Sequence, residues 1–149
     1  MRAVVQRVSS CTVRVDTGIT GSIERGILIY LGVGNDDTTK DLDYIIRKTT
    51  NLRIFPDLEG KMNRSVKDIN GEILIVSQFT LCADTRKGNR PSYNNAALPE
   101  FAEKMYNSFV KELKKTGLKV ETGQFRASME VDYVNDGPVT ILIDSKKIF

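Results

Sequence analysis

Apolar runs near the start of the chain predict three β-strands in quick succession. Residues 2–8 and 12–15 carry mainly aliphatic side chains, and the turn signal Thr17-Gly18 follows them. Residues 27–33 form a longer apolar run bounded by glycines. A run of this kind is typical of a central strand that is covered on both faces. The chain therefore begins as part of a sheet.

Two later segments repeat their apolar residues at helical spacing. The first helix is predicted to begin after a capping residue at Thr38 or Thr39. Its buried face is formed by Leu42, Ile45, Ile46 and Thr49. The second helix is predicted to begin at Pro99, where proline is well tolerated, and to end before Gly117. Its apolar stripe is formed by Phe101, Met105, Phe109 and Leu113.

Shorter strand signals alternate with loops through the rest of the chain. Strands are predicted at residues 53–55, 73–79, 118–122, 127–134 and 139–143. Residues 57–71 and 80–97 are polar or aperiodic and predict loops, the second of which is long enough to suggest a functional role. Because no repeat or linker interrupts this order, residues 1–149 are predicted to form a single mixed α/β domain, with more sheet than helix.

Composition narrows the class of protein. The 149 residues carry a net charge of +3, which favours an anionic partner only weakly. Two cysteines, Cys11 and Cys82, do not make a disulfide framework and fit a reducing cytoplasm. The polar N-terminal segment does not resemble a signal peptide, and no apolar run is long enough to predict a membrane span. A cytoplasmic location is expected.

The absence of histidine excludes several kinds of chemistry. The chain contains no histidine, so neither a Ser-His-Asp nor a Cys-His catalytic arrangement can form within it. Zinc sites that depend on imidazole are excluded for the same reason, and two distant cysteines cannot bind a metal alone. No metal or cofactor is expected. Any hydrolysis must use carboxylates, hydroxyls, backbone amides or groups on the substrate.

The segment Asn135-Asp136-Gly137-Pro138 lies between two predicted strands. Its composition is typical of a turn that joins them. A proline is nevertheless unusual here, because it donates no N–H to the sheet and allows a cis peptide bond at modest cost. A cis bond would direct two carbonyl groups to one side, where they could accept hydrogen bonds from an ammonium group. The segment is therefore either a simple turn or a binding element.

The segment Ser77-Gln78-Phe79-Thr80 lies where a predicted strand opens into the long loop. One interpretation places Phe79 in the core with polar neighbours at the rim. Another makes Thr80 or Cys82 a nucleophile, although no base is evident beside either. In a third, backbone N–H groups at the bend bind an oxyanion. Strand ends that lead into loops are common places for functional sites.

Basic residues lie close to this second segment. Arg86, Lys87 and Arg90 are in the long loop, where contacts with phosphate groups are one interpretation. A further group near the end of the second helix consists of Lys111, Lys114, Lys115 and Lys119, and it is more typical of a solvated helix face.

Several of these motifs together resemble one known family. The stretches Ser77-Gln78-Phe79-Thr80-Leu81, Gly88-Asn89-Arg90-Pro91 and Asn135-Asp136-Gly137-Pro138-Val139-Thr140 resemble signature motifs of the D-aminoacyl-tRNA deacylases, also called D-tyrosyl-tRNA deacylases. Val5-Gln6-Arg7-Val8 and Asn70-Gly71-Glu72 match as well. One position departs from the family pattern. The family usually has Phe-Gly-Ala where this chain has Phe125-Arg126-Ala127.

The elements and the resemblance together predict a fold and an assembly. The expected fold is a barrel-like core of mixed β-sheets with two main helices packed on one side. The resemblance implies a homodimer that binds aminoacyl-tRNA and has two active sites at its interface. Each site would join residues 77–80 of one subunit to the Gly137-Pro138 element of the other.

The resemblance also implies roles for individual residues in substrate binding. The carbonyl groups of Gly137 and Pro138, across a cis peptide bond, would hold the α-amino group of a D-residue and exclude an L side chain. Arg7 would brace this element, Met129 would line the site, and Asn135 belongs to the same substrate-binding group. Achiral glycine would pass this filter, which makes glycyl-tRNA a second candidate substrate.

Catalysis is assigned, again by resemblance, to Ser77, Gln78, Phe79 and Thr80. Hydrolysis of the ester bond would use the backbone N–H groups of Phe79 and Thr80, a water molecule and the 2′-OH of the terminal adenosine. Chemistry of this kind needs no imidazole and is compatible with a chain that lacks histidine.

Three alternatives remain at this stage. A non-catalytic RNA-binding protein is the main one, because no side-chain catalyst is obvious. A hydrolase with Thr80 as a covalent nucleophile is the second. The third, a small-molecule binder, has little support because no cofactor-binding motif is present.

Overall fold

The structure is a computed structural model that describes residues 1–148. Its elements, in chain order, are β1 (Arg2–Val15), β2 (Gly18–Ile23), β3 (Gly26–Gly32), α1 (Thr39–Asn51), β4 (Phe55–Pro56), β5 (Met62–Arg64), β6 (Glu72–Ser77), a 3₁₀ helix (Phe79–Cys82), α2 (Pro99–Lys114), β7 (Val120–Thr122) and β8 (Glu130–Asp144). None of the helices within residues 1–148 is both long and apolar enough to cross a membrane.

Six strands form one strongly curved mixed sheet. Its order is β2-β1-β3-β6-β7, with β8 paired to the other side of β1. The β3–β6 and β6–β7 pairs are parallel, and the pairs that involve β1 are antiparallel. The two ends of the order meet, because a Cβ atom on Gly21 of β2 would lie 2.6 Å from the Thr122 carbonyl oxygen of β7. The predicted barrel-like core is confirmed.

Alternate residues of the central strands face two different cores, as the period of a β-strand requires. Ile27, Ile29 and Ile75 belong to the larger core, which also contains Leu42 of α1 and Phe109 of α2. Both helices therefore pack on the same side of the sheet, as predicted. Each fully buried aliphatic side chain of this kind contributes roughly 1.5–3 kcal/mol to folding.

The intervening residues of the same strands point into the interior of the barrel. Leu28 of β3 and Leu74 of β6 are fully buried there, together with Val8 and Val13 of β1. Met129, immediately before β8, packs against this second core. Met129, which the resemblance assigns to the site, is thus anchored by its packing against the barrel interior.

The predicted cap of the first helix is found at Thr38. The Asp41 carboxylate accepts hydrogen bonds from the backbone N–H and the hydroxyl of Thr38, each at 2.8 Å. Desolvation is the largest single influence on the pKa of Asp41 and would raise it. Hydrogen bonds from Ser145, Thr38 and Lys146 outweigh desolvation and hold that pKa below its usual range. Asp41 therefore remains charged at neutral pH and keeps the helix start in place.

Three details of the predicted strands are wrong. The first two predicted strands are one continuous strand, β1, because an extended chain can bend without a turn. Strand β2 was missed, since its Gly-rich sequence lacks an apolar run. The predicted strand at 53–55 is displaced to Phe55–Pro56, where it pairs with the short β5 inside the predicted loop.

The most consequential correction concerns the segment around Gly137. The flanking residues were predicted to be two strands joined by a turn, but both belong to β8 and both pair antiparallel with β1. Asn135 is opposite Val8 and Thr140 is opposite Gln6, so four residues of β8 stand opposite Arg7 alone. The segment is therefore a large β-bulge at an edge strand, where a proline without an N–H is tolerated.

Candidate active site

The strand β6 delivers residues 77–80 to the end of the barrel. The N–H of Gln78 donates to the Leu31 carbonyl oxygen at 2.8 Å, and the chain then turns into the 3₁₀ helix. The helix packs closely on β3, because a Cβ atom on Gly32 would lie 2.9 Å from Cβ of Leu81. Gly32 thus provides the space for this approach. The sequence shows that Gly32 lies near the end of a predicted strand, but it does not show that the 3₁₀ helix packs against this glycine.

A cavity of about 520 Å³ opens beside this segment. Ser77, Gln78 and Phe79 line it, and so does Met129, which precedes β8. Most of the other lining side chains are apolar. The hydroxyl of Tyr106, which also lines the cavity, donates to the Ile75 carbonyl oxygen at 2.9 Å, and burial raises the pKa of this phenol. The cavity wall therefore offers shape and apolar surface rather than an acid or a base.

The interpretation of Phe79 as a core residue is wrong. Its side chain is 57% exposed, although it lines the cavity. Its ring stands edge-on to that of Tyr93 with the centroids 5.0 Å apart. Large apolar side chains exposed beside a cavity are typical of contact surfaces.

Neither candidate nucleophile has the surroundings that a nucleophile needs. The hydroxyl oxygen of Thr80 accepts a hydrogen bond from the Gln78 side-chain amide, and an amide N–H cannot take a proton. Cys82 is buried, and this burial raises the pKa of its thiol. The backbone is better placed, because Phe79 and Thr80 open the 3₁₀ helix and the first N–H groups of a helix have no partner inside it.

Arg7 holds the bulge of β8 against the body of the protein. Its guanidinium donates to the Asp136 carbonyl oxygen at 3.2 Å and pairs with the Asp136 carboxylate at 3.0 Å. It also donates to the Ile54 carbonyl oxygen at 2.6 Å. The peptide bond between Gly137 and Pro138 is cis, and both residues are exposed. Arg7 therefore links the residue that precedes Gly137 to the body of the protein, and its role in substrate binding stays a prediction.

Asn135 is occupied by contacts inside the bulge. Its side-chain amide donates to the Gln6 side-chain oxygen at 2.8 Å and accepts from the Val139 N–H at 3.3 Å. The Thr140 hydroxyl also donates to Gln6. These contacts make Gln6 a second support of the bulge, which the sequence did not single out. Only the fact that Gln6 and Asn135 lie on paired strands could have indicated it.

Within one chain, the predicted site residues form two separate groups. Ser77, Gln78, Phe79 and Met129 surround the cavity, with Thr80 next to them in the 3₁₀ helix. Arg7, Asn135, Gly137 and Pro138 form the braced bulge, and none of these four lines the cavity.

The turn before Met129 keeps the backbone of a glycine while carrying an arginine. The Ala127 N–H donates to the Gln124 carbonyl oxygen at 3.3 Å, and Arg126, the third residue of this turn, has φ = +63°. A positive φ at this position is what a type II turn requires, and glycine is the usual residue there. For a residue with a side chain the left-handed region costs about 1–2 kcal/mol. The departure from the family pattern therefore leaves the turn itself intact.

The basic residues of the long loop lie at its exposed tip. Asp84 and Ser92 pair through two backbone hydrogen bonds of 2.8 and 2.9 Å, so residues 85–91 project from the site segment. Arg86 is paired with the Asp84 carboxylate at 2.6 Å. Lys87 and Arg90 are exposed at the same tip.

Comparison with known proteins connects this geometry to a family. The family model described as D-Tyr-tRNA(Tyr) deacylase matches residues 4–144. Curated D-aminoacyl-tRNA deacylases of Thermotoga petrophila and Clostridioides difficile are each 58% identical over 149 residues, covering 100% of both chains.

Solved structures show the same fold. A c-Myc DNA Unwinding Element Binding Protein is 46% identical with a TM-score of 0.92, covering 97% of this chain and 98% of its own. A probable eukaryotic D-amino acid tRNA deacylase shares the fold, with 16% identity and a TM-score of 0.85 over 95% and 97% of the two chains. The match over the full length, together with the predicted motifs at a cavity and a braced bulge, shows that the chain belongs to the D-Tyr-tRNA(Tyr) deacylase family of enzymes.

Proposed function

We propose that the protein hydrolyses the ester bond of D-aminoacyl-tRNA and releases free D-amino acid and tRNA. The observation that chiefly supports this is the 58% identity, along the whole chain, to curated D-aminoacyl-tRNA deacylases. The exposed aromatic rings and the mainly apolar cavity beside residues 77–79 offer a surface for the 3′ end of the RNA. The basic tip of the long loop adds charge that suits a phosphate backbone.

The bulge of β8 is proposed to select D-amino acids over L-amino acids. The carbonyl groups of Gly137 and Pro138 accept hydrogen bonds from the α-ammonium group, and their fixed direction leaves no room for an L side chain. Support comes from the contacts that hold the bulge still, namely those of Arg7 with Asp136 and of Asn135 with Gln6. Glycine has no side chain to exclude, so we propose glycyl-tRNA as a second substrate of the same filter.

The reaction is proposed to use the backbone and the RNA. A water molecule attacks the ester carbonyl carbon, and the developing oxyanion accepts hydrogen bonds from the N–H groups of Phe79 and Thr80. The 2′-OH of the terminal adenosine relays the proton of the attacking water to the 3′-oxygen of the ribose as the bond between this oxygen and the carbonyl carbon breaks. The tRNA then leaves with a free 3′-OH, and the D-amino acid leaves with a carboxyl group. The support is chemical: the chain has no histidine, the Thr80 hydroxyl is bonded to the Gln78 amide, and the Cys82 thiol is buried with a raised pKa.

Replacing Thr80 with alanine is expected to leave most of the activity. The Thr80→Ala variant keeps the backbone N–H, so its rate on D-tyrosyl-tRNA should stay within about tenfold of wild type. Single-turnover rates would measure this. Thr80→Ser is the matched control, because it keeps a hydroxyl. If alanine removed several orders of magnitude of rate while serine retained the activity, Thr80 would be a covalent nucleophile instead.

We further propose that the protein is a homodimer in which the bulge of one subunit completes the cavity of the other. Within one chain Gly137 and Pro138 do not line the cavity. They lie on the edge strand β8, which also exposes Val134 and Leu142, at 57% and 59% of their surface. An unpaired edge with exposed apolar side chains is a typical surface for self-association.

The dimer has a direct test. Sedimentation equilibrium of the purified protein should give twice the mass of one chain at the concentrations used for activity. Activity per chain should fall on dilution as the dimer dissociates. A fully active monomer would contradict the shared site.

The proposed place of action is the cytoplasm, where charged tRNA is available. Both cysteines are free and buried, as is usual in a reducing compartment.

Non-catalytic nucleic-acid binding is the alternative function. The name of the c-Myc DNA Unwinding Element Binding Protein refers to binding of a DNA element, and this chain is 46% identical to it. The two functions predict different results in one assay. A deacylase releases many equivalents of free D-tyrosine from D-tyrosyl-tRNA, whereas a binding protein protects the ester and releases none.

A further inference from the structure

Arg126 differs in charge from the other residues that line the cavity. Within residues 1–148 it is the one charged residue that lines the cavity, among mainly apolar neighbours. The cavity is shared with Ser77, Gln78 and Phe79, so the charge lies on the same opening as the segment assigned to catalysis.

The side chain of Arg126 is exposed, and it leaves the backbone from a defined turn. No carboxylate of the described residues forms an ion pair with it, whereas Arg86 of the long loop is paired with Asp84. The turn from Gln124 to Ala127 fixes where the side chain leaves the backbone. A residue with a side chain occupies the left-handed region here, at φ = +63°. Such conformations often occur at ligand-binding positions.

We propose that Arg126 binds the phosphodiester group that precedes the terminal adenosine of the substrate. This inference rests on the proposed function, which brings the ester on the ribose of that adenosine to residues 77–80. The nearest anion of the RNA is then the phosphodiester attached to the 5′-oxygen of the same ribose. A guanidinium is well suited to it, because its donors match the geometry of phosphate oxygens.

Arg126 therefore acts as a positioning residue. It holds the phosphate on one side of the terminal ribose while the bulge holds the ammonium group of the amino acid on the other. The reacting ester lies between these two points. A relative with glycine at this position would have the same turn without this contact.

The test compares two dinucleotides that differ in one charge. Cytidylyl-(3′→5′)-adenosine reproduces the 3′ end of tRNA, and its methylphosphonate analogue replaces the anionic phosphodiester with a neutral group. Calorimetry should show that wild type binds the charged dinucleotide about tenfold more tightly, as expected for one charge-assisted contact. Arg126→Gly and Arg126→Gln should bind both dinucleotides equally, with the affinity of wild type for the neutral one.

Controls separate the charge from the backbone. Arg126→Gly removes a residue with a side chain from the left-handed region, so its unfolding temperature should equal or exceed that of wild type. Arg126→Gln keeps a residue with a side chain in the left-handed region and removes only the charge. Arg47→Gln on α1 removes one positive charge away from the cavity and should leave the preference for the charged dinucleotide unchanged.

The inference is overturned if wild type shows no preference for the charged dinucleotide, binds neither, or keeps its preference after Arg126 is replaced. These results are distinguishable from a failure of the proposed function. A protein that hydrolyses D-tyrosyl-tRNA but shows no charge preference contradicts only the role of Arg126. A protein that shows the preference but hydrolyses nothing contradicts only the deacylase activity.

Discussion

D-Tyrosyl-tRNA that has hydrogen in place of the terminal 2′-OH is expected to resist hydrolysis by this protein, with a rate about 100-fold or more below that of the normal substrate. The reason is that neither candidate nucleophile of the chain is suited to take over the proton transfer. The chain has no histidine, the Thr80 hydroxyl is bonded to an amide that cannot act as a base, and the Cys82 thiol is buried with a raised pKa.

The matched control is a substrate that lacks the 2′-OH of the preceding nucleotide. It loses one hydroxyl from the same RNA but keeps the one beside the ester, and it should react at nearly the normal rate. Single-turnover rates on the three substrates give the comparison. Normal hydrolysis of the terminal deoxy substrate would mean that a protein group, and not the RNA, assists the reaction.

Gly137→Ala is expected to lower the rate on D-tyrosyl-tRNA by about 10- to 100-fold, the size of effect that follows when a binding group is displaced by a fraction of an ångström to an ångström. Gly137 has φ = +121°, which side chains strongly disfavour. A Cβ atom would also lie 2.8 Å from a guanidinium nitrogen of Arg7 and 3.1 Å from the Val139 nitrogen. The bulge must therefore shift, and its carbonyl groups shift with it.

Gly60→Ala separates this effect from the general cost of a positive φ. Gly60 has φ = +79°, but no atom lies within 4 Å of the position that its Cβ would take. It lies between β4 and β5, outside both groups of site residues. This control should lose some stability and retain its activity. If both variants hydrolysed D-tyrosyl-tRNA like wild type, the bulge would not hold the substrate.

Long elements with a clear period were predictable from the sequence. The apolar stripes around Ile45 and Phe109 placed both helices, and the capping residue at Thr38 was recognisable from local chemistry. The run at residues 27–33 was recognisable as a central strand because nearly all of its side chains are apolar. In each case a local pattern and the packing of the whole fold require the same structure.

The errors arose where one local pattern is compatible with two structures. The residues around Gly137 and Pro138 are as suitable for a turn as for a bulge, and only the pairing of both flanks with β1 decides between them. The same holds for Phe79, whose apolar ring is equally compatible with a core and with an exposed site. The pairing partners of a strand and the exposure of a side chain depend on segments that are distant in the sequence. A local sequence pattern therefore cannot predict them.

The candidate site was predictable as a set of motifs but not as an arrangement. Ser77 to Thr80, Gly137-Pro138 and Arg7 are identified from the sequence, while Gln6 and Gly32 are not. Gln6 and Gly32 have no distinctive chemistry of their own. Their roles depend on what β1 and β3 bring next to them, which are Asn135 and the 3₁₀ helix respectively.

Removal of D-residues from tRNA, with L-residues spared, is measured by one pair of rates. Purified protein at catalytic concentration is mixed with D-tyrosyl-tRNA or L-tyrosyl-tRNA, and the release of free tyrosine is followed. We expect many turnovers on the D ester and no release from the L ester above spontaneous hydrolysis. Equal hydrolysis of both esters, or release from neither, would contradict it.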